Sequence, residues 1–142
     1  MANDYTPVYI VGEIVTATAS TAVTAADILE VSGSSTVRTC LTAGSLKMVG
    51  VAQSDTVING RVSYYCRGAV HESVAQGVIT AGDQLITGDG TGGKQVKTCP
   101  PSGFAVGYLN TDANTQENNT RGVIGFALTS AADGGKVRWM IV

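Results

Sequence analysis

The chain has 142 residues, 44% of them apolar and only 14% charged, with a formal net charge of -2. That length predicts a single domain able to bury a core without disulfide staples. With 9 Lys+Arg against 11 Asp+Glu there is no cationic reservoir for neutralising phosphates, which argues against direct nucleic-acid binding.

The start, Met1-Ala2-Asn3-Asp4, lacks the basic and apolar stretches of a secretory signal, so no export is expected. Apolar runs such as Val8 to Val11 reach about four or five residues, far short of a membrane span. Residues 1–15 read as an extended N-terminal arm, and residues 16–142 as one β domain. Within the arm, Pro7 fixes one φ angle and removes a donor, which disfavours helix. Tyr5 and Tyr9 fall on one face of an extended strand and Val8 on the other. Two placements are open for this arm: docked on its own core, or leaving the domain to anchor a partner through its tyrosines. The candidate partner-binding residues are therefore Tyr5, Pro7, Val8 and Tyr9.

Further along, valine and threonine combine with 18 glycines into a strand-and-turn inventory, so the fold is all-β. Strand alternation is clear in Arg61 to Arg67, where Val62, Tyr64 and Cys66 share one face. It recurs in Lys136 to Ile141, where Val137, Trp139 and Ile141 do. Turns are marked by Asn59-Gly60, Gly88-Asp89-Gly90, Gly92-Gly93 and Asp133-Gly134-Gly135. Only Ala22 to Leu29 and Thr129 to Asp133 offer room for a helical turn. Short strands at this spacing predict a compact β-sandwich or barrel-like domain.

The sequence also repeats itself. Residues 48–67 lie over residues 123–142 without gaps at an offset of 75, carrying Gly50 to Gly125, Gly60 to Gly135 and Val62 to Val137. A second match pairs Thr24-Ala25-Ala26-Asp27 with Thr80-Ala81-Gly82-Asp83 at an offset of 56. The second half thus carries about 19 extra residues, and two pseudo-repeated halves are expected rather than a solenoid. The stretch near 110–121 is polar and reads as an inserted hairpin with a solvated tip.

Sites of chemistry are sparse. Gly88 to Lys94 matches G-x-x-x-x-G-K, but Gln95 stands where a magnesium-binding hydroxyl belongs, and the following residues read as a strand. His71-Glu72-Ser73 joins three reactive types, yet neighbours on an extended chain face opposite ways, so surface or edge placement is expected. Cys40, Cys66 and Cys99 share no close spacing, and one histidine cannot complete a zinc set. No catalytic, cofactor or metal site is predicted, and the cysteines read as thiols packed as small apolar residues.

Taken in order, several pieces resemble the small capsid decoration, or cement, proteins of tailed bacteriophages. They are Thr80-Ala81-Gly82-Asp83-Gln84-Leu85, Gly90 to Gly93, Ile124-Gly125-Phe126-Ala127-Leu128, Ala131 to Gly135 and the closing Lys136 to Val142. With the matching first-half segments the resemblance spans roughly Ala22 to Val142, and the polar insertion departs from it. It implies a non-enzymatic virion protein on the outer capsid surface, present in host cytoplasm before assembly. It further implies a homotrimer that bridges subunits of the major capsid protein, with no direct nucleic-acid or membrane partner. The alternative is a β-sandwich module binding a carbohydrate or receptor, for which Tyr65 and Tyr108 are the candidate platform.

Overall fold

In the computed structural model, the described residues are 3–5, 7–8, 13–41, 43–88, 93–99 and 122–142. They form ten strands and, among themselves, no helix. The first five are β1 (Ile14–Ala19), β2 (Ile28–Gly33), β3 (Thr36–Thr39), β4 (Met48–Ala52) and β5 (Arg61–Tyr65). The second five are β6 (Val70–Ala75), β7 (Gln84–Thr87), β8 (Gln95–Thr98), β9 (Gly125–Ala127) and β10 (Lys136–Ile141).

Each set closes into its own barrel, in the orders β1-β3-β2-β4-β5 and β10-β6-β8-β7-β9. The two are the same fold twice. One parallel contact occurs in each, β1 on β3 and β6 on β8, and every other pairing is antiparallel. Registers carry the repeat to the residue. Ala19 opposite Val37 becomes Ala75 opposite Val96, and Val51 opposite Tyr65 becomes Phe126 opposite Met140. Those pairs, with Leu29 opposite Thr39 becoming Leu85 opposite Thr98, place the first two strands of each half 56 residues apart, the third 59 apart and the last two 75 apart. Three of the extra residues in the second half therefore enter between β7 and β8, and the remainder between β8 and β9. The predicted hairpin near 110–121 belongs to that second interval and lies outside the described residues.

The repeated T-A-x-D turn has a physical reason. In the first half, the Thr24 amide and the Thr39 hydroxyl both donate to Asp27 Oδ2, at 2.9 and 2.8 Å. In the second, the Thr80 amide and the Thr98 hydroxyl donate to Asp83 Oδ2, each at 2.9 Å. One carboxylate thus ties its own turn to the neighbouring strand, β3 or β8, and closes that end of the barrel. The repeated V-G-x-A segment has another reason. A methyl at Gly50 would strike Tyr65 backbone and the Tyr64 ring, and one at Gly125 would strike Met140 backbone and the Trp139 ring. Only glycine lets the last two strands of each barrel approach this closely.

Burial follows the predicted parity at the C-terminus, where Val137, Trp139 and Ile141 are buried. The cores are unequal. The first barrel is filled by Ala19, Val23, Leu29, Val37, Ala52, Val62 and Tyr64. The second holds Trp139, Leu85, Val96 and Val137, and it also takes in Ile28, Cys40 and Val51 from the outer face of the first barrel. Backbone bonds cross the same seam: the Ile28 amide donates to Gly93 O at 2.7 Å, and the Gly44 amide to Thr87 O at 3.0 Å. The first barrel is docked on the second by its outer face. Where helical turns had room, over 22–29 and 129–133, the described chain makes hydrogen-bonded turns and single bridges, Val23 with Thr56 and Ile79 with Ala131.

Candidate functional site

The densest group of ring and polar side chains lies at the seam between the barrels, beneath the N-terminal segment. Strand parity on β6 turns His71 inward, where it faces Trp139 of β10 at a ring distance of 5.5 Å. Tyr5 covers the other side of the imidazole, nearly parallel to it at 5.7 Å, and Tyr65 closes the cluster edge-on to Tyr5 at 6.4 Å. Polar atoms inside the cluster are largely paired. Tyr5 Oη and His71 Nδ1 are 3.0 Å apart, the Glu72 amide donates to Tyr5 Oη at 3.4 Å, and Trp139 Nε1 donates to Ser73 Oγ at 2.8 Å. His71 Nε2 is buried without a partner.

His71 is 0% exposed, which overturns the surface placement expected from sequence. Adjacency along a strand fixes only that neighbouring side chains face opposite ways. Nothing in His71-Glu72-Ser73 announces that Tyr5, 66 residues away, roofs the ring. Burial holds the imidazole down to about 4, from an ordinary 6.5, so it is neutral near pH 7. The same burial pushes the Tyr5 phenol up. The neutral imidazole packs between the Tyr5 and Trp139 rings.

The N-terminal residues assigned to partner binding are placed as follows. Tyr5 is half-buried in the cluster, and Pro7 is buried. Val8 is 38% exposed, although its amide donates to Val70 O at 2.9 Å. Tyr9 lies outside the described residues. The segment is held as a short strand: Asp4 bridges Ser54, the Tyr5 amide donates to Gln53 O, and the Asp55 amide donates to Asn3 O. In this conformation, Tyr5 and Pro7 face the protein's own body.

Of the platform weighed for a carbohydrate-binding module, Tyr65 is buried at 4% exposure and cannot face a ligand, while Tyr108 lies outside the described residues. The glycine-rich loop leads into strand β8, so no helix N-terminus follows it to receive a phosphate. Cys40, Cys66 and Cys99 carry thiols; burial pushes Cys40 up to about 12, far from a reactive thiolate. Cys40 is buried as expected, whereas Cys66 and Cys99 are half-buried.

Exposed apolar side chains supply a second kind of surface. Val57 and Ile58, at the tip of the β4–β5 turn, are 73% and 58% exposed, and Val78 is 75% exposed in the loop after β6. Leu128, just beyond β9, is 48% exposed.

These features define a tandem of two five-stranded barrels with aromatic packing at the seam and apolar loops outside. No protein-family model matches the chain, and no curated protein matches it by sequence. A solved structure shares the fold: the N base of the head fiber gp8.5 of bacteriophage phi29 is similar at a TM-score of 0.54 and 21% identity. The similarity covers 92% of this chain and 93% of that one.

Proposed function

We propose that this chain is a structural component of a phage head, seated on the outer capsid surface as a decoration protein that bridges major-capsid-protein subunits. The observation that carries this reading is the tandem-barrel fold, shared over almost the full length of a phage head-fiber base. The order of glycine-rich motifs points the same way. The physical character suits the role: two closed barrels leave few open strand edges, and the chain is lightly charged with apolar turn tips at Val57, Ile58 and Val78. The role is non-enzymatic, and its location is the virion.

Assembly as a homotrimer belongs to this reading, since 14% charged residues leave much apolar surface to cover. The N-terminal segment is the proposed capsid contact, through Tyr5, Pro7, Val8 and Tyr9, and Val8 is the exposed one of these among the described residues. Co-sedimentation of the purified protein with expanded heads of its own phage tests the role. Retention on heads is expected, and deletion of residues 2–9 should abolish it while leaving the protein folded and its oligomeric state unchanged. Light scattering tests the trimer separately, and a mass of 14.5 kDa at micromolar concentration would exclude it. Failure of the wild-type protein to pellet with heads would overturn the decoration role.

A further inference from the structure

The duplicated fold makes two copies of one strand-accepting edge, and the described residues fill only one. In the first half that edge is Gln53–Asp55, just beyond β4. Its Gln53 carbonyl accepts from the Tyr5 amide, its Asp55 amide donates to Asn3 O at 3.1 Å, and Ser54 bridges Asp4 in antiparallel sense. The offset of 75 that carries Val51 opposite Tyr65 onto Phe126 opposite Met140 carries Gln53–Asp55 onto Leu128–Ser130. Inward-facing bonds agree. The Gln53 amide donates to Ser63 O and the Leu128 amide to Arg138 O, at 2.9 and 2.7 Å. Asp55 Oδ1 receives the Ala25 amide, and Ser130 Oγ receives the Ala81 amide, at 2.8 and 2.9 Å.

On their outward side the two edges differ. The Leu128 carbonyl and the Ser130 amide, counterparts of the groups that hold Tyr5 and Asn3, have no hydrogen-bond partner among the described residues. Burial tracks this difference. Gln53 and Asp55 are half-buried, whereas Leu128 and Ser130 are exposed. Beneath the first edge Val51 and Tyr65 are buried; their counterparts Phe126 and Met140 are only partly so. Phe126 lies two residues before Leu128 and pairs with Met140, so all three line one apolar strip.

The geometry points to Leu128–Ser130 as a second strand-acceptor, one that takes an extended segment of another polypeptide in the manner of Asn3–Tyr5. The incoming segment pairs antiparallel, donating to Leu128 O and accepting from the Ser130 amide two residues apart. It lays an apolar or aromatic side chain on the Phe126, Leu128 and Met140 strip. The occupant is a segment of a different protein: with Asn3–Tyr5 seated on its own first edge, as in this structure, a second copy has no such segment free to offer.

The test is a titration of the isotope-labelled full chain with a synthetic peptide of its residues 2–8, followed by amide chemical shifts and hydrogen exchange. At millimolar peptide, the Phe126, Leu128, Ser130 and Met140 signals should move and exchange at the Ser130 amide should slow at least tenfold. Signals of Gln53–Asp55 should stay in place. Leu128→Lys, checked for an unchanged melting temperature, should weaken binding at least tenfold. The proposal is overturned by any of three results: no movement at Leu128–Ser130, movement confined to Gln53–Asp55, or protection of Ser130 through self-association without peptide. None of these readouts depends on binding to heads, so the head role and this edge stand or fall separately.

Discussion

Trp139 donates its indole N–H to the Ser73 hydroxyl at 2.8 Å from inside the larger core, where the indole is fully buried. The bond joins β10 to β6 two residues out of register from the Trp139–His71 pair, so it locks the two most extensively paired strands of the second barrel. Trp139→Ala is expected to cost roughly 3–5 kcal/mol through the cavity it leaves. Ser73→Ala strands a buried donor and should cost about 1–3 kcal/mol. Denaturant unfolding checks both, and an unchanged midpoint in Trp139→Ala would refute core placement.

Close approach at the repeated glycines gives a second expectation. Gly125 has backbone and an indole within reach of any added methyl, whereas a Cβ at Gly134 would meet open space. Gly125→Ala should therefore destabilise by about 1–3 kcal/mol, as overpacking of a filled site does. Gly134, at φ 77°, pays only for its backbone conformation, roughly 1–2 kcal/mol. Gly50→Ala should behave like Gly125→Ala. Melting temperatures of the three variants rank them directly.

The two T-A-x-D turns contain a natural exchange. Both need a positive φ at their third residue; the second half has Gly82 there at 95°, but the first has Ala26 at 71°. A Cβ at Gly82 would meet nothing within 4 Å, so the penalty there is purely conformational. Ala26→Gly should stabilise the fold by about 0.5–1 kcal/mol, and Gly82→Ala should destabilise it by a similar amount. A loss of stability in Ala26→Gly would mean that the unfolded-chain entropy of glycine outweighs the relieved strain.

The barrels were legible wherever the repeat was, because turn carboxylates and close-approach glycines are local devices that leave the same residues at the same spacing twice. Asp27 and Asp83, Gly50 and Gly125, and Tyr64 and Trp139 pair from the sequence spacing alone. The seam was not legible. Val15 and His71 hold equivalent places on β1 and β6, yet Val15 is 40% exposed and His71 is enclosed. What separates them is the packing of one half, and of Tyr5, onto the other. Period-two alternation reports which residues share a face, but not what covers that face. Tyr65 was misjudged for the same reason: its side of β5 looks polar in Arg61 and Ser63, and becomes interior only where Tyr5 lies over it.

The enclosed imidazole makes stability depend on pH, with a definite sign. His71 titrates near 6.5 in the unfolded chain and about 4 in the folded one. Above pH 6.5 it is neutral in both states and the contribution is flat. Between 6.5 and 4 the unfolded chain binds the proton first, so folding weakens as pH falls, by about 3 kcal/mol over the interval. Below 4 both states are protonated and the loss levels off. Carboxylates titrate in part of the same window, so the measurement is the difference between the wild-type protein and His71→Phe, which keeps a ring beside Tyr5 and Trp139. Unfolding free energies at pH 7, 6, 5 and 4 should converge on a wild-type loss that the variant lacks. Because Tyr5 lies directly on the imidazole, proteolysis of the N-terminal segment should also accelerate toward pH 4 in the wild type alone. Parallel pH profiles for the two proteins would show that His71 is hydrated in the fold and that Tyr5 does not roof it.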